Sequence, residues 1–545
     1  MSNLPQLPAG DASFVSIREN NCLYVDKTRY ITQMIQKGSY YFLARPRRFG
    51  KSLTVSTFHA LFSGRRDLFV GLDIENYLDD AMFRPGPVIH LDMSGALIDD
   101  GIDGMNIRIK SLLEENASDN NVELRGEYVD IIFRNLISDF HKKYGKVIIL
   151  VDEYDFPLIE AIRMNIDIEK IKNSLRGLFL QIKLKMESIR FVFLTGISRF
   201  SKMGIFSALN NLTDISLQKD YGTMLGYTHD EILTNFESYI KESTKILETN
   251  ASELINSIKD YYDGFCFDGE NCVYNPYSTL LFFQQNMFGR FWFASGTPSI
   301  VAEHIKRNKV TIEQFKDMKI TKSFALEPGE LNESSTTSYL YQSGYLTLRK
   351  GDEEDTYRLD YPNQEVYESM SSLLSWNIMG GQENGDAALA ELGDALRKAN
   401  AKNVISELDK LLWRIPYDDF TQTESNNLMK QYPDLPLREC IYRSSLLSFL
   451  IGTGLRVDPE VHTRRGRADM VVTCTKHVWV IEIKVAETTG DVDRQADAAL
   501  RQIHERGYAE GYENPILLGI AVDDSKRAIG GYRVETLQTQ GEPSS

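Results

Sequence analysis

The sequence has no run approaching the roughly 18 apolar residues of a membrane span. Its best candidate, Ser445 to Leu455, is short and is broken by Gly452 and Gly454. The stretch Met1 to Asp11 lacks the basic and apolar blocks of a secretory signal. Both absences point to a cytoplasmic protein with no membrane partner. Cysteine is scarce: Cys22, Cys266, Cys272, Cys440 and Cys474 make an odd number, with no C-x-x-C spacing, so neither a disulfide framework nor a zinc site is indicated. Basic excess is missing too. The 61 Lys and Arg stand against 77 Asp and Glu, a formal net charge of −16, which argues against a surface coated for general nucleic-acid binding. A local basic groove remains open, from Arg45, Arg47 and Arg48 or from Arg464, Arg465 and Arg467; nucleotide phosphates explain the first cluster more simply.

What the chain does have is the apolar run Tyr40 to Ala44 leading into Arg45-Pro46-Arg47-Arg48-Phe49-Gly50-Lys51-Ser52-Leu53. Behind it lies a helical pattern through Phe58, Leu61 and Phe62. A strand, a Gly-Lys-Ser turn and a helix make a phosphate-binding loop, in which backbone N–H groups and the helix N-terminus point at the phosphates. Lys51 would reach the β- and γ-phosphates and the Ser52 hydroxyl would ligate Mg²⁺. Arg45 stands where the strict G-x-x-x-x-G-K-[ST] pattern wants glycine. About a hundred residues on, Lys146 to Val151 is a β-branched and aliphatic run of the kind buried on both faces of a parallel sheet. It ends in Asp152 and Glu153, at the edge where an open α/β sheet places its ligands. Asp152 would hold the Mg²⁺ shell and Glu153 would polarise the attacking water.

These two motifs, Arg45 to Ser52 and Val151-Asp152-Glu153-Tyr154-Asp155, resemble the bacterial AAA-ATPase-like family, whose members usually carry a C-terminal PD-(D/E)XK nuclease domain. The family commonly replaces the first glycine of the loop, so Arg45 fits it. The resemblance implies nucleotide binding by Arg45, Arg48, Phe49, Gly50, Lys51, Ser52 and Leu53 with Asp152, and it extends to Arg199 in the turn after the strand-like run Ile189 to Thr195. There Thr195 or Ser198 would sense the γ-phosphate, and Arg199 would neutralise charge as the phosphate leaves or else make a surface ion pair. Asn210-Asn211 reads as a turn before a last strand. His90, inside the apolar run Pro87 to Asp92, reads as a core histidine.

From Thr228 to Lys350 the pattern is helical and aromatic, resembling the family's helical lid and winged-helix-like module. Its aromatics read as packed core ahead of base-stacking platforms. Ala387 to Ile415 has helical spacing and reads as a connector.

The second constellation is C-terminal. Gly466 to Val472 and Val478 to Lys484 read as two strands joined by a turn. Glu482 and Lys484, two apart, share one face, and Asp469 comes beside them if the strands pair as a hairpin. That assembles two carboxylates for a divalent metal and an ammonium to assist at the phosphate. It is the D…E-x-K signature of the PD-(D/E)XK nucleases. Glu439, in the helical stretch Leu437 to Leu450, resembles the acidic residue of that fold's first helix and would join Asp469 and Glu482 at the metal. Gln502, in the helical stretch Asp491 to Arg506, resembles the closing motif. An ion pair on a strand face is the bland alternative.

The expected architecture is α/β: a P-loop, AAA-like parallel-sheet ATPase core (1–226), a helical, winged-helix-like region (227–350), a helical connector (351–435), an αβ restriction-endonuclease-like domain (436–535) and a disordered tail (536–545). The expected function is ATP hydrolysis coupled to Mg²⁺- or Mn²⁺-dependent phosphodiester cleavage by Glu153, Asp469, Glu482, Lys484 and Gln502. The substrate would be nucleic acid, DNA ahead of RNA. A nucleotide-gated binding or scaffolding module with an inactive nuclease fold is the alternative. A third reading is a nucleotide sensor that forms homo-oligomers through its ATPase domain.

Overall fold

The computed structural model describes residues 4–77, 84–96, 101–164, 166–199, 209, 211–295, 301, 305, 311–321, 323–324, 336–351, 353, 356–379, 381–415, 437–463 and 466–537. Arg464, Arg465, the stretch 206–210 apart from Leu209, and the tail 538–545 lie outside the described residues. The chain divides into two compact units, Met1–Val301 with Asp317–Glu365, and Ala302–Lys316 with Val366–Ser545.

The first unit is built on a parallel sheet of β1 (Tyr40–Ala44), β2 (Val88–Asp92), β3 (Val147–Asp152), β4 (Ile189–Gly196) and β5 (Thr213–Asp214), in the order β2-β3-β4-β1-β5. Every residue of β3 is buried, as a strand covered on both faces requires. The helix Lys51–Phe62 packs on the sheet against β2, β3 and β4, and Gly101–Asp119 packs on β2. Gly196 closes β4 where a Cβ would fall 2.5 Å from Asp155 Oδ1 and 2.6 Å from Tyr154. Only glycine lets β4 end flush against the acidic motif.

Beyond the sheet come the helices His229–Asn235, Glu237–Ile246, Ala251–Tyr262 and Pro276–Gln285. The first starts with a capping box between Thr228 and Glu231, and the last has Asn275 as N-cap and Pro276 in its first turn. Their aromatics point inward: Phe236, Tyr239, Tyr262, Tyr274, Phe282 and Phe283 form one buried cluster. A hairpin of β6 (Phe265–Cys266) and β7 (Cys272–Val273), and an antiparallel sheet of β8 (Met318–Ile320), β9 (Thr347–Lys350) and β10 (Tyr357–Asp360) complete the unit.

The second unit carries the helices Gln382–Arg397 and Ala401–Leu412, in the stretch whose spacing reads as a helical connector. The break has a local cause: Ala399 is left-handed (φ 53°) and the Asn400 side chain caps the second helix. The helix Leu437–Gly452 follows, then a five-stranded sheet of β11 (Arg456–Thr463), β12 (Gly466–Thr473), β13 (Val478–Ala486), β14 (Pro515–Asp523) and β15 (Ala528–Thr536) in chain order. All pairs are antiparallel except β13 with β14, which are parallel and joined through the helix Val492–Glu505. A parallel pair needs such a crossover. No described helix is long and apolar enough to cross a membrane.

Candidate active sites

At the C-terminal end of β1 the backbone turns through two left-handed residues, Arg48 (φ 67°) and Gly50 (φ 94°), before the helix Lys51–Phe62 begins. That aims the first helical N–H groups into a cleft of about 430 Å³, lined among others by Arg48, Phe49, Lys51, Ser52, Leu53 and Glu153. Lys51 is buried, its Nζ donating to the carbonyls of Arg45 (3.1 Å) and Pro46 (3.0 Å). Burial lowers its pKa, against the opposing pull of Glu153, Asp152 and Asp155. Asp152, at the end of β3, is raised to about 6 by burial, although a hydrogen bond from Ser52 and the charge of Lys51 resist the shift. Glu153 follows in a left-handed conformation (φ 48°), its N–H on Asp152 Oδ1 at 3.0 Å. Asp155 is fully buried and accepts hydrogen bonds from the backbone N–H groups of Ile197 and Ser198 and from the Ser198 hydroxyl. It thereby ties the acidic motif to the turn after β4.

Two residues expected at the nucleotide are directed elsewhere. The Arg45 guanidinium is buried away from this cleft: Nη1 donates to Ala44 O and to Ser216 O (2.6 Å), Nη2 to Tyr221 O, and the group stacks over Phe267 at 4.1 Å. A buried guanidinium turns its donors to whatever acceptors lie within reach; here these are carbonyls for Nη1 and Nη2, and Nε has no hydrogen-bond partner among the described residues. Arg199 is paired with Asp214 (Nη2 to Oδ2, 2.9 Å). Of the two sensor candidates, Ser198 is committed to Asp155, whereas Thr195 Oγ1 is buried without a hydrogen-bond partner among the described residues.

In the second unit, β12 and β13 pair with Met470 opposite Ile481, which brings Asp469 beside Glu482. The Ile483 N–H donates to Asp469 Oδ2 at 2.8 Å, and the Asp469 N–H reaches Glu482 Oε2 at 3.4 Å. Lys484 Nζ lies 3.2 Å from Glu482 Oε1 and 3.7 Å from Glu439 Oε1. Glu482 sits in register with Gly519 of β14, where a Cβ would stand 2.7 Å from Leu500 N. The bare glycine lets the helix Val492–Glu505 lie against the sheet, and Gln502 Nε2 from that helix donates to Glu482 Oε1. Burial and the neighbouring Asp469 push Glu482 up to about 8. Burial also raises Glu439. For Lys484 burial works downward but is outweighed by Glu482, Glu439 and Asp469, so its pKa is raised.

The donor set is all oxygen, which suits Mg²⁺ or Mn²⁺ over zinc. Among the described residues no three such donors converge as a ready cage. Two carboxylates are enough for a Mg²⁺ ion that keeps most of its water, and Asp469 with Glu482 supply them. Glu439, expected as a third ligand, instead faces Lys484.

Comparison with known proteins bears on both sites. Residues 8–206 match the model of a predicted AAA-ATPase family and residues 437–531 that of the PD-(D/E)XK nuclease superfamily. An "uncharacterized protein in vnfD 5'region" of Azotobacter chroococcum mcd 1 is 32% identical over 541 residues, 98% of this chain and 99% of that one. The chain belongs to this AAA-ATPase-like family. A solved structure of the Aeropyrum pernix ORC2 protein (ADPNP-ADP complexes) covers 64% of the chain and 92% of its own at 10% identity, with a TM-score of 0.29. That likeness is too slight to carry argument.

Sequence reasoning did not find one residue at the family's C-terminal site. Arg443, buried on the helix Leu437–Gly452, places Nη1 3.3 Å from Asp469 Oδ1. It stands four residues after Glu439 and so shares its helix face; that spacing was the available signal.

Proposed function

We propose that the protein binds and hydrolyses ATP at the first site and cleaves phosphodiester bonds of nucleic acid, DNA ahead of RNA, at the second. The observation that carries the reading is Asp469, Glu482 and Lys484 brought to one point by the pairing of β12 with β13. Glu482, buried, and Asp469, half-buried, are costly to hold side by side without a counter-charge. They would hold a hard divalent cation, which when bound supplies Lewis-acid polarisation of a phosphoryl oxygen. Lys484, kept protonated by its three carboxylates, presents a positive charge to the phosphate as negative charge develops. Glu439 holds the Lys484 stem end in place, and Gln502 orients Glu482. At the first site the N–H groups around Gly50 and the Lys51 ammonium would grip the phosphates, with Ser52 and Asp152 at Mg²⁺. Glu153 would orient water and Thr195, whose hydroxyl has no hydrogen-bond partner among the described residues, would meet the γ-phosphate.

The test is cleavage of circular single- and double-stranded DNA with Mg²⁺ or Mn²⁺, with and without ATP, by the native protein, Lys484→Ala and Lys51→Ala. Cutting lost in Lys484→Ala, and insensitive to ATP only in Lys51→Ala, is the expected result. ATP turnover without cutting of DNA or of RNA by any form would replace the nuclease with a nucleotide-gated binding module.

A further inference from the structure

The hairpin of β6 and β7 brings together two of the five cysteines. Cys266 and Cys272 are directly opposite across the antiparallel pair. Cys266 gives its backbone N–H to the Thr347 hydroxyl (2.7 Å) and its carbonyl accepts from the same hydroxyl (3.1 Å), so this is a pair without mutual backbone hydrogen bonds. In such a pair the Cα atoms stand about 4.5 Å apart, inside the range of roughly 4.4–6.8 Å that a disulfide spans. The two thiols differ. Cys266 is fully buried and Cys272 is partly exposed. Arg349 Nη1 donates to the Cys272 sulfur. The neighbouring Cys266 thiol and then the charge of Arg349 lower Cys272 toward thiolate, while Cys272, burial and Asp268, to whose Oδ1 the Cys266 sulfur donates at 3.7 Å, hold Cys266 as thiol.

The hairpin also grips the phosphate-binding loop. Phe49 meets Phe265 edge-on at 4.8 Å and Phe267 at 5.3 Å, and Arg45 stacks on Phe267. Both ends of the loop Arg45 to Phe49 therefore rest on the residues immediately flanking Cys266.

We propose that Cys266 and Cys272 form a dithiol that hydroperoxides convert to an intramolecular disulfide, and that the hairpin transmits its state to the loop Arg45 to Lys51. Cys272 as thiolate attacks one peroxide oxygen; the O–O bond breaks, the departing oxygen takes a proton and leaves as water or alcohol, and Cys272 becomes a sulfenic acid. The Cys266 sulfur then attacks the Cys272 sulfur, the S–O bond breaks, and the oxygen departs as water with the Cys266 proton. Two electrons pass from the thiols to the peroxide, and a dithiol reductant reverses the change. Cys272 has the exposure to react first and Cys266 the position to resolve it.

The full chain is treated with hydrogen peroxide, alkylated and digested, and amide hydrogen exchange of the peptide spanning Arg45 to Lys51 is compared between reduced and oxidised protein. A single disulfide linking Cys266 to Cys272, reversed by dithiothreitol, is expected, with exchange in that peptide changed about threefold or more. Cys272→Ser and Cys266→Ser, each checked for native melting, should remove both effects. No linked peptide, or oxidation falling first on Cys22, overturns the dithiol. A disulfide that leaves loop exchange unaltered overturns the transmission. Neither readout needs bound nucleotide, so failure of the ATP-binding reading would show separately.

Discussion

At the head of the helix Lys51–Phe62 a buried ammonium rests on two backbone carbonyls; on β13 a half-buried one rests between two carboxylates, with a third close by. The same side chain is pushed in opposite directions, Lys51 down and Lys484 up. Around Lys51 the hydrogen-bond partners are neutral carbonyls and the loop adds Arg47, Arg48 and the positive end of a helix, while Asp152, Glu153 and Asp155 act on Lys51 through charge alone, so the loop face of the site is set for an anion. Around Lys484 three carboxylates, Glu439, Asp469 and Glu482, stand against two cations, Lys484 and Arg443. That site lacks a cation. The difference teaches what each would take up: a polyphosphate at the first, a divalent metal at the second.

The sharpest break in the comparison is a crossed pair of lysine removals. Lys484→Ala should lower phosphodiester cleavage by about 10²–10³-fold, the scale of losing one transition-state charge contact, with ATP turnover intact. Lys51→Ala should do the reverse to ATP turnover by a similar factor. Initial rates of ATP turnover, and of cleavage without ATP, for both variants measure this, and parallel loss of both in either variant would contradict it. Arg443→Met comes next. If the guanidinium orients Asp469, its removal should cost about 10–100-fold in cleavage, with partial rescue by Arg443→Lys and a raised Mg²⁺ requirement; a loss accompanied by an unchanged Mg²⁺ titration would mark Arg443 as packing alone.

The charge imbalance itself is readable in stability. In EDTA, Glu482 has a pKa of about 8 when folded, against an unfolded value near 4.5. Between those values the folded state holds the extra proton, so Glu482 contributes less to stability as pH rises from about 4.5 to about 8. Glu482→Gln, which cannot ionise, should flatten that slope and melt a few degrees above the native protein at pH 8, roughly 2–4 °C per kcal/mol, with little difference at pH 5. Mg²⁺ should raise the native melting temperature at pH 8 more than at pH 5. Identical pH slopes for the two proteins would remove the charge argument.

Much of this was legible in the sequence, and the rest was hidden for identifiable reasons. β1, β3, β4, β13 and β14 announce themselves as runs rich in apolar residues because each is largely buried. β11 and β15 do not: both are edge strands, one carrying Pro459, which an edge tolerates, with polar residues, and the other Gly530 and Gly531, which weaken the strand signal. Glu482 and Lys484 were readable because a strand's period of two puts them together. Arg443 was not, because its meeting with Asp469 depends on the approach of β12 to its helix. Cys266 and Cys272 escaped because a five-residue loop, not a recognisable spacing, sets them opposite each other.

The smallest expected effect separates the loop's shape from its contacts. Arg45 occupies the position of the loop's first glycine, yet its charge is spent on Ser216 O and Tyr221 O and on the face of Phe267. Burial lowers its pKa to about 10, and it still titrates well above neutrality. Arg45→Met keeps the bulk and removes the donors. Removing the donor to the carbonyls of Ala44, Ser216 and Tyr221 should cost about 1–3 kcal/mol of stability, while nucleotide affinity, measured by titration with a fluorescent ATP analogue below the melting range, should change by no more than about twofold. Lys51→Ala under the same conditions supplies the contrast, since it removes a group that lines the cleft. A tenfold loss of affinity in Arg45→Met would mean that the guanidinium turns toward the phosphates when nucleotide binds, and the first site would then resemble the second in drawing its binding charge from a side chain released from an internal partner.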